Sequence, residues 1–171
     1  MTHHRLLLAF STLLLGTGAA LAQSADLTCM ALDVVAAGQP SAARKSFSAT
    51  RTIDLTVVAT FKELPSREHL LELVFTSPDG FLYRSMAFPI APAGRVAGHR
   101  RIPDYPNPVS ELRVATETGA DGLARNMVAV PFPVAGTTIV SSGLYGRWTV
   151  EARLDGARTP CTRGLTFTLT P

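Results

Sequence analysis

The sequence predicts an all-β domain, an antiparallel β-sandwich of about seven to eight strands, on three observations. Apolar residues recur at every second position over long stretches, the rhythm of a half-buried strand. Turn-forming residues separate these stretches within the length of one domain. Helical periodicity is nearly absent, and few helices with many strands leave a sandwich or a closed barrel as the stable layer arrangement.

Taken in chain order, Thr28 to Val35 reads as a first strand, followed by an irregular stretch of small residues from Ala37 to Lys45. From Thr52 to Lys62 the odd positions Ile53, Leu55, Val57, Ala59 and Phe61 are apolar, while most even positions are polar. Pro65 to Leu71 is the best helical candidate, with Ser66 placed to cap a single turn. Leu71, Leu73 and Phe75 lead into Ser77-Pro78-Asp79-Gly80, where proline presets one backbone angle and glycine accepts a positive one. The chain then returns with Leu82, Met86, Phe88 and Ile90 on one side, so the two runs read as a hairpin. Ala91 to Pro108 holds four prolines and is the longest loop. Leu112 and Val114 mark a short strand. Val128, Val130, Phe132 and Val134 mark another, whose opposite face carries Pro131 and Pro133. Two residues without an N–H place that strand at a sheet edge or end its pairing there. Leu144 to Leu154 alternates with Trp148 in the apolar phase, and Leu165, Phe167 and Leu169 form a last strand.

The beginning of the chain reads as an export signal over residues 1–22, leaving a single domain over 23–171. Met1-Thr2-His3-His4-Arg5 is a short basic start, Leu6 to Gly16 is apolar, and Ala20-Leu21-Ala22 fits a signal-peptidase site before Gln23. The apolar run is shorter than the roughly 20 residues a membrane span needs, so no span is expected after cleavage. No cysteine stands at the cut to take a lipid. The expected location is the periplasm or the exterior. Arg5 is the only Lys, Arg, Asp or Glu in residues 1–22, so 15 basic and 13 acidic residues remain beyond them, a charge of +2. A balance of this kind, without clustered basic and aromatic residues, gives no support to a nucleic-acid or polyanion binder, and no nucleic-acid partner is expected. Cys29 and Cys161 are the two cysteines, and an oxidising compartment would join them. The alternatives, a catalytic thiol or a two-cysteine metal site, have no histidine nearby in sequence to support them.

The Pro78-Asp79-Gly80 turn, the stretch Gly146-Arg147-Trp148-Thr149-Val150, and Asp155-Gly156 ahead of a last alternating strand resemble the Ig-like and fibronectin-III-like sandwich domains of bacterial exported proteins. The resemblance implies an Ig-like architecture and no activity. It departs from the antibody pattern, where a tryptophan lies between two cysteines that join facing mid-sheet strands; here the cysteines would tie the two ends of the domain.

No catalytic residue is assigned. His69 and His99 are the only histidines beyond the signal; His99 with Asp104 and Ser110 suggests a triad only on paper, since all three sit in or beside one proline-rich loop. Asp79, Asp104, Asp121 and Asp155 occupy turns, where such residues more often bond the nearby backbone than gather calcium, and no metal or cofactor is expected. The candidate binding residues are Arg95, His99, Arg100, Arg101 and Tyr105, because arginine and tyrosine join large contact area to hydrogen-bonding capacity. The expected function is that of an exported, non-enzymatic protein-binding or accessory module with a protein partner in the cell envelope. A carbohydrate- or cell-wall-binding module is the alternative, and a small hydrolase stands behind it. The sugar reading needs a row of exposed aromatics, whereas Tyr83, Tyr105 and Tyr145 lie in separate segments.

Overall fold

The computed structural model describes residues 27–36, 45–119 and 121–171, so the expected export signal over residues 1–22 and most of the stretch from Ala37 to Lys45 lie outside the described residues. The chain is all-β. Its strands are β1 (Cys29–Ala36), β2 (Ser46–Ser48), β3 (Asp54–Phe61), β4 (His69–Thr76), β5 (Leu82–Ile90), β6 (His99–Arg100), β7 (Val109–Ser110), β8 (Ala115–Thr118), β9 (Ala124–Pro133), β10 (Gly146–Leu154) and β11 (Leu165–Thr170). A four-stranded sheet has the order β1-β3-β9-β8, a five-stranded sheet the order β2-β11-β10-β4-β5, and β6 pairs with β7 alone. Pairing is antiparallel except between β2 and β11.

The alternation read from the sequence is the burial pattern of the central strands. Leu55, Val57, Ala59 and Phe61 of β3 and Leu71, Leu73 and Phe75 of β4 are buried, and they share one apolar cluster with Val128, Val130 and Phe132 of β9 and Trp148, Val150 and Ala152 of β10. Residues from both sheets meet inside it: Phe75 of β4 stacks on Phe132 of β9 with ring centroids 4.1 Å apart. Trp148 is fully buried, and its indole N–H donates to the Leu144 carbonyl at 3.0 Å. Truncating an aromatic of this size in a packed core costs about 3–5 kcal/mol.

Departures from the expected pattern have local causes. Ile53 precedes β3 instead of belonging to it, and its side chain is exposed although its carbonyl holds the Val134 and Ala135 N–H groups at 3.0 Å each. In β5 an extra residue lies between the pairs Phe75–Arg84 and Thr76–Leu82, a bulge at Tyr83. The bulge shifts the alternation, so Leu82 is turned to solvent while Tyr83 packs edge-on against Trp148 at 5.0 Å. Pro65 to Leu71 forms no helical turn, because His69 and Leu71 are already in the buried phase of β4. The helical turn is α1 (Thr138–Ser141), where Thr137 Oγ1 accepts from the Ile139 N–H at 3.2 Å and Ile139 is buried. Leu112 forms a single parallel bridge with Ile90 in place of a strand. β9 pairs with β3 through Pro133 but with β8 only as far as Met127, so Pro131 and Pro133 do lie on an open edge. A disulfide joins Cys29 to Cys161, 132 positions apart in sequence.

Candidate binding surface

The loop from Ala91 to Pro108 is fastened to the five-stranded sheet at several points. Leu112 reaches the outer side of β5, where its N–H donates to the Pro89 carbonyl at 2.7 Å and its carbonyl accepts from Ala91 N–H at 2.9 Å. Ala93 N–H donates to the Pro65 carbonyl at 2.8 Å. The two-residue strands β6 and β7 then fold the loop back on itself and place His99 opposite Ser110.

At the base of this hairpin Glu111 is buried, its side chain only 2% exposed. Its Oε2 accepts the Gly98 N–H at 2.7 Å, and its Oε1 meets Arg100 Nε at 2.8 Å and Arg95 Nη2. Glu68 Oε2 closes the ring from outside, 3.0 Å from Arg95 Nη2 and 3.2 Å from Arg100 Nε. Burial alone would favour the neutral acid, but the Gly98 N–H, the Arg100 hydrogen bond and the charges of both arginines prevail and hold the Glu111 carboxyl below its ordinary range. The same contacts raise Arg100, through its hydrogen bond to Glu111 and the charge of Glu68.

The five predicted residues therefore divide. Arg95 and Arg100 brace the loop through two carboxylates. His99 and Arg101 are exposed. Tyr105 is half-buried, and its hydroxyl accepts the Ala87 N–H at 2.7 Å, which covers one outward group of the edge strand β5. Glu68 and Glu111 are functional to the loop's geometry and were not among the predicted residues; the available signal was the charge of three arginines with no acid inside the loop to balance them except Asp104.

The imagined pairing of His99 with an acid is replaced by another. His69, buried, meets Asp155 Oδ2 through Nδ1 at 2.8 Å; Asp155 Oδ1 accepts the Leu70 N–H at 2.9 Å, and Arg67 Nη2 approaches Oδ2 at 3.0 Å. Burial works against ionisation of Asp155, and these bonds overcome it, so its carboxyl titrates below the usual range. Asp155 sits at a positive φ of 52° in the turn after β10. Asp121 pairs with Arg125 at 2.6 Å. Among the described residues no three His, Cys, Asp or Glu side chains gather as a metal site, and no helix is long and apolar enough to cross a membrane. Tyr83 and Tyr145 pack against the core, so the three tyrosines make no exposed row.

Large apolar side chains are exposed where β4 turns into β5: Phe81 is 75% and Leu82 66% exposed. They adjoin the one half of the β5 edge that the loop leaves bare. Ala87 N–H and the Pro89 carbonyl both point away from β4, so the outward set includes Ser85 by alternation. No described residue bonds the Ser85 backbone on that side.

No protein-family model matches the sequence, and no curated protein matches it. Among solved structures the chain is similar to the Pseudomonas fluorescens alkylpurine DNA glycosylase AlkC bound to DNA containing an abasic site analog, with a TM-score of 0.42 and 12% sequence identity over 85% of this chain. This chain spans 30% of the length of that one. A likeness at that score bears on neither fold family nor chemistry.

Proposed function

We propose that this chain is an exported Ig-like β-sandwich that binds another protein of the cell envelope and carries out no catalysis. Residues 1–22 would direct it to the periplasm or the exterior and be removed there. The paired cysteines suit an oxidising compartment, and two sheets sharing one apolar cluster suit the sandwich reading.

The observation that carries the binding reading is the apolar pair Phe81 and Leu82 beside the bare half of the β5 edge. An unpaired edge offers main-chain donors and acceptors to an added strand, and adjoining apolar side chains supply the burial that makes such an addition stable. The edge at Pro131 and Pro133 is a poorer candidate for strand addition, because those two positions present carbonyls without N–H groups. Tyr105, fixed on Ala87, borders the bare segment, and a braced loop loses little conformational freedom on contact.

The test is a photo-crosslinking amino acid placed at position 81 in cells that export the protein, with position 147, exposed on β10, as the control. A single envelope protein crosslinked from position 81 and absent from position 147 is the expected result. Crosslinks that are equal from both positions, or none from position 81, would remove the reading. Mass spectrometry of the exported material should begin at Gln23 and show the mass of the bridged form.

A further inference from the structure

A second concavity, separate from the β5 edge, lies where the start of the 91–108 loop faces the segment leading into β8. It encloses about 390 Å³ and is lined by Leu64, Pro92, Arg95, Val96, Arg113 and Val114, among others. That volume is at the lower end of the ~300–1,000 Å³ usual for small-molecule sites. Two of its apolar walls are held open to solvent, with Leu64 48% and Val96 77% exposed.

The polar part of the lining is cationic. Arg95 spends its Nη2 on Glu68 and Glu111, and its Nε is buried and meets no hydrogen-bond acceptor among the described residues. That N–H is shielded from solvent, so the cationic group the cleft presents to a ligand is Arg113. Arg113 is exposed and makes no ion pair or hydrogen bond among the described residues, so its charge is uncompensated there, whereas the charges of Arg95 and Arg100 are balanced by Glu68 and Glu111. One free guanidinium and a short apolar wall are complementary to an anionic head on a short apolar tail.

We infer that this cleft binds a carboxylate carrying a short apolar group, with Arg113 as the principal charge partner and Leu64, Val96 and Val114 covering the tail. A guanidinium suits a carboxylate because its planar donors match the two oxygens. A free short-chain acid and the C-terminus of an apolar peptide share that chemistry. The site does not depend on the β5 surface, so either can fail alone.

The experiment is a titration of the ¹⁵N-labelled protein, oxidised and without residues 1–22, with hexanoate, hexanol, and the tripeptide Ala-Leu-Val with a free or an amidated C-terminus. Saturable shifts confined to resonances of Leu64, Val96, Arg113 and Val114 are expected with a carboxylate-bearing probe and not with hexanol or the amide. Shifts from hexanoate identify a free acid as ligand, and shifts from the free tripeptide alone identify a peptide terminus. The variant Arg113→Gln should bind about tenfold more weakly, the size of one charged contact, while melting at an unchanged temperature. Arg95 is left intact because it also braces the loop. Hexanol binding as well as hexanoate, shifts scattered over the molecule, or Arg113→Gln binding undiminished would each overturn the assignment.

Discussion

Glu111 shows how one side chain can organise a loop that its neighbours in sequence cannot. It ionises in a buried position only because Gly98, Arg95 and Arg100 surround it, so removing its charge leaves two guanidinium groups to share the single, more exposed carboxylate of Glu68. Glu111→Gln should lower stability by about 1–3 kcal/mol in denaturant titration, the usual cost of an impaired buried polar contact. Arg95→Ala and Arg100→Ala should both lower the melting temperature, whereas Arg101→Ala should leave it unchanged. The pH dependence follows from the sign of the shifts. Glu111 and Asp155 both titrate lower in the folded chain than their ordinary values of 4.5 and 3.8. Each therefore contributes stability that is complete above its ordinary value and is lost as pH falls through its lowered folded value. The native protein should lose stability below about pH 4.5, and Glu111→Gln should flatten that acid limb. The sequence pointed to Arg95, Arg100 and Tyr105 by residue type, but their partners are remote: Glu68 precedes the loop by a whole hairpin, and Ala87 offers only a backbone N–H. No local spacing encodes such contacts.

At the scale of elements, what could be read in advance was the inward phase of each central strand. Leu55 to Phe61 and Trp148 to Ala152 alternate in sequence because alternate positions face the apolar cluster, and that rule needs no knowledge of neighbours. The rule fails where pairing adds a residue. The bulge at Tyr83 is set by the register of β4 against β5, so the exposure of Leu82 had no signature in the alternation of β5 itself. Pro89 is legible only in hindsight, as a residue whose missing N–H faces the outer edge while its carbonyl receives Leu112. The same geometry predicts that proline is tolerated at outward positions and not at inward ones. Ser85→Pro should cost less than about 2 kcal/mol, including its 2.5 Å bond to Glu72, and should abolish partner crosslinking from position 81. Met86→Pro removes an N–H that faces β4 and should cost more than about 3 kcal/mol by the same denaturant titration.

For the molecule as a whole, the all-β class and the pairing of Cys29 with Cys161 were legible, while the order of strands was not, since period-two patterns say which face is buried and not which strand lies beside which. The bridge links β1 of the four-stranded sheet to the segment between β10 and β11 of the five-stranded one. In the chain-entropy description, closing a loop of that length destabilises the unfolded ensemble by about 5 kcal/mol, comparable with the whole stability of many domains. A Cys29→Ser, Cys161→Ser double variant should lose most of that amount in denaturant titration, and the native protein should approach it when reduced.

The position of β11 also sets an order in time. It follows every other strand in sequence, yet it lies between β2 and β10, and it is the strand that holds β2 in place. A nascent chain that has delivered residues 1 to 160 has ten of its strands but neither Phe167 nor Leu169 for the core, and β2 has no neighbour to pair with. Completion of the five-stranded sheet must therefore wait for synthesis to pass Thr170. Until then β2 stays unpaired and β10 keeps one side open, while β10, β4 and β5 can already associate.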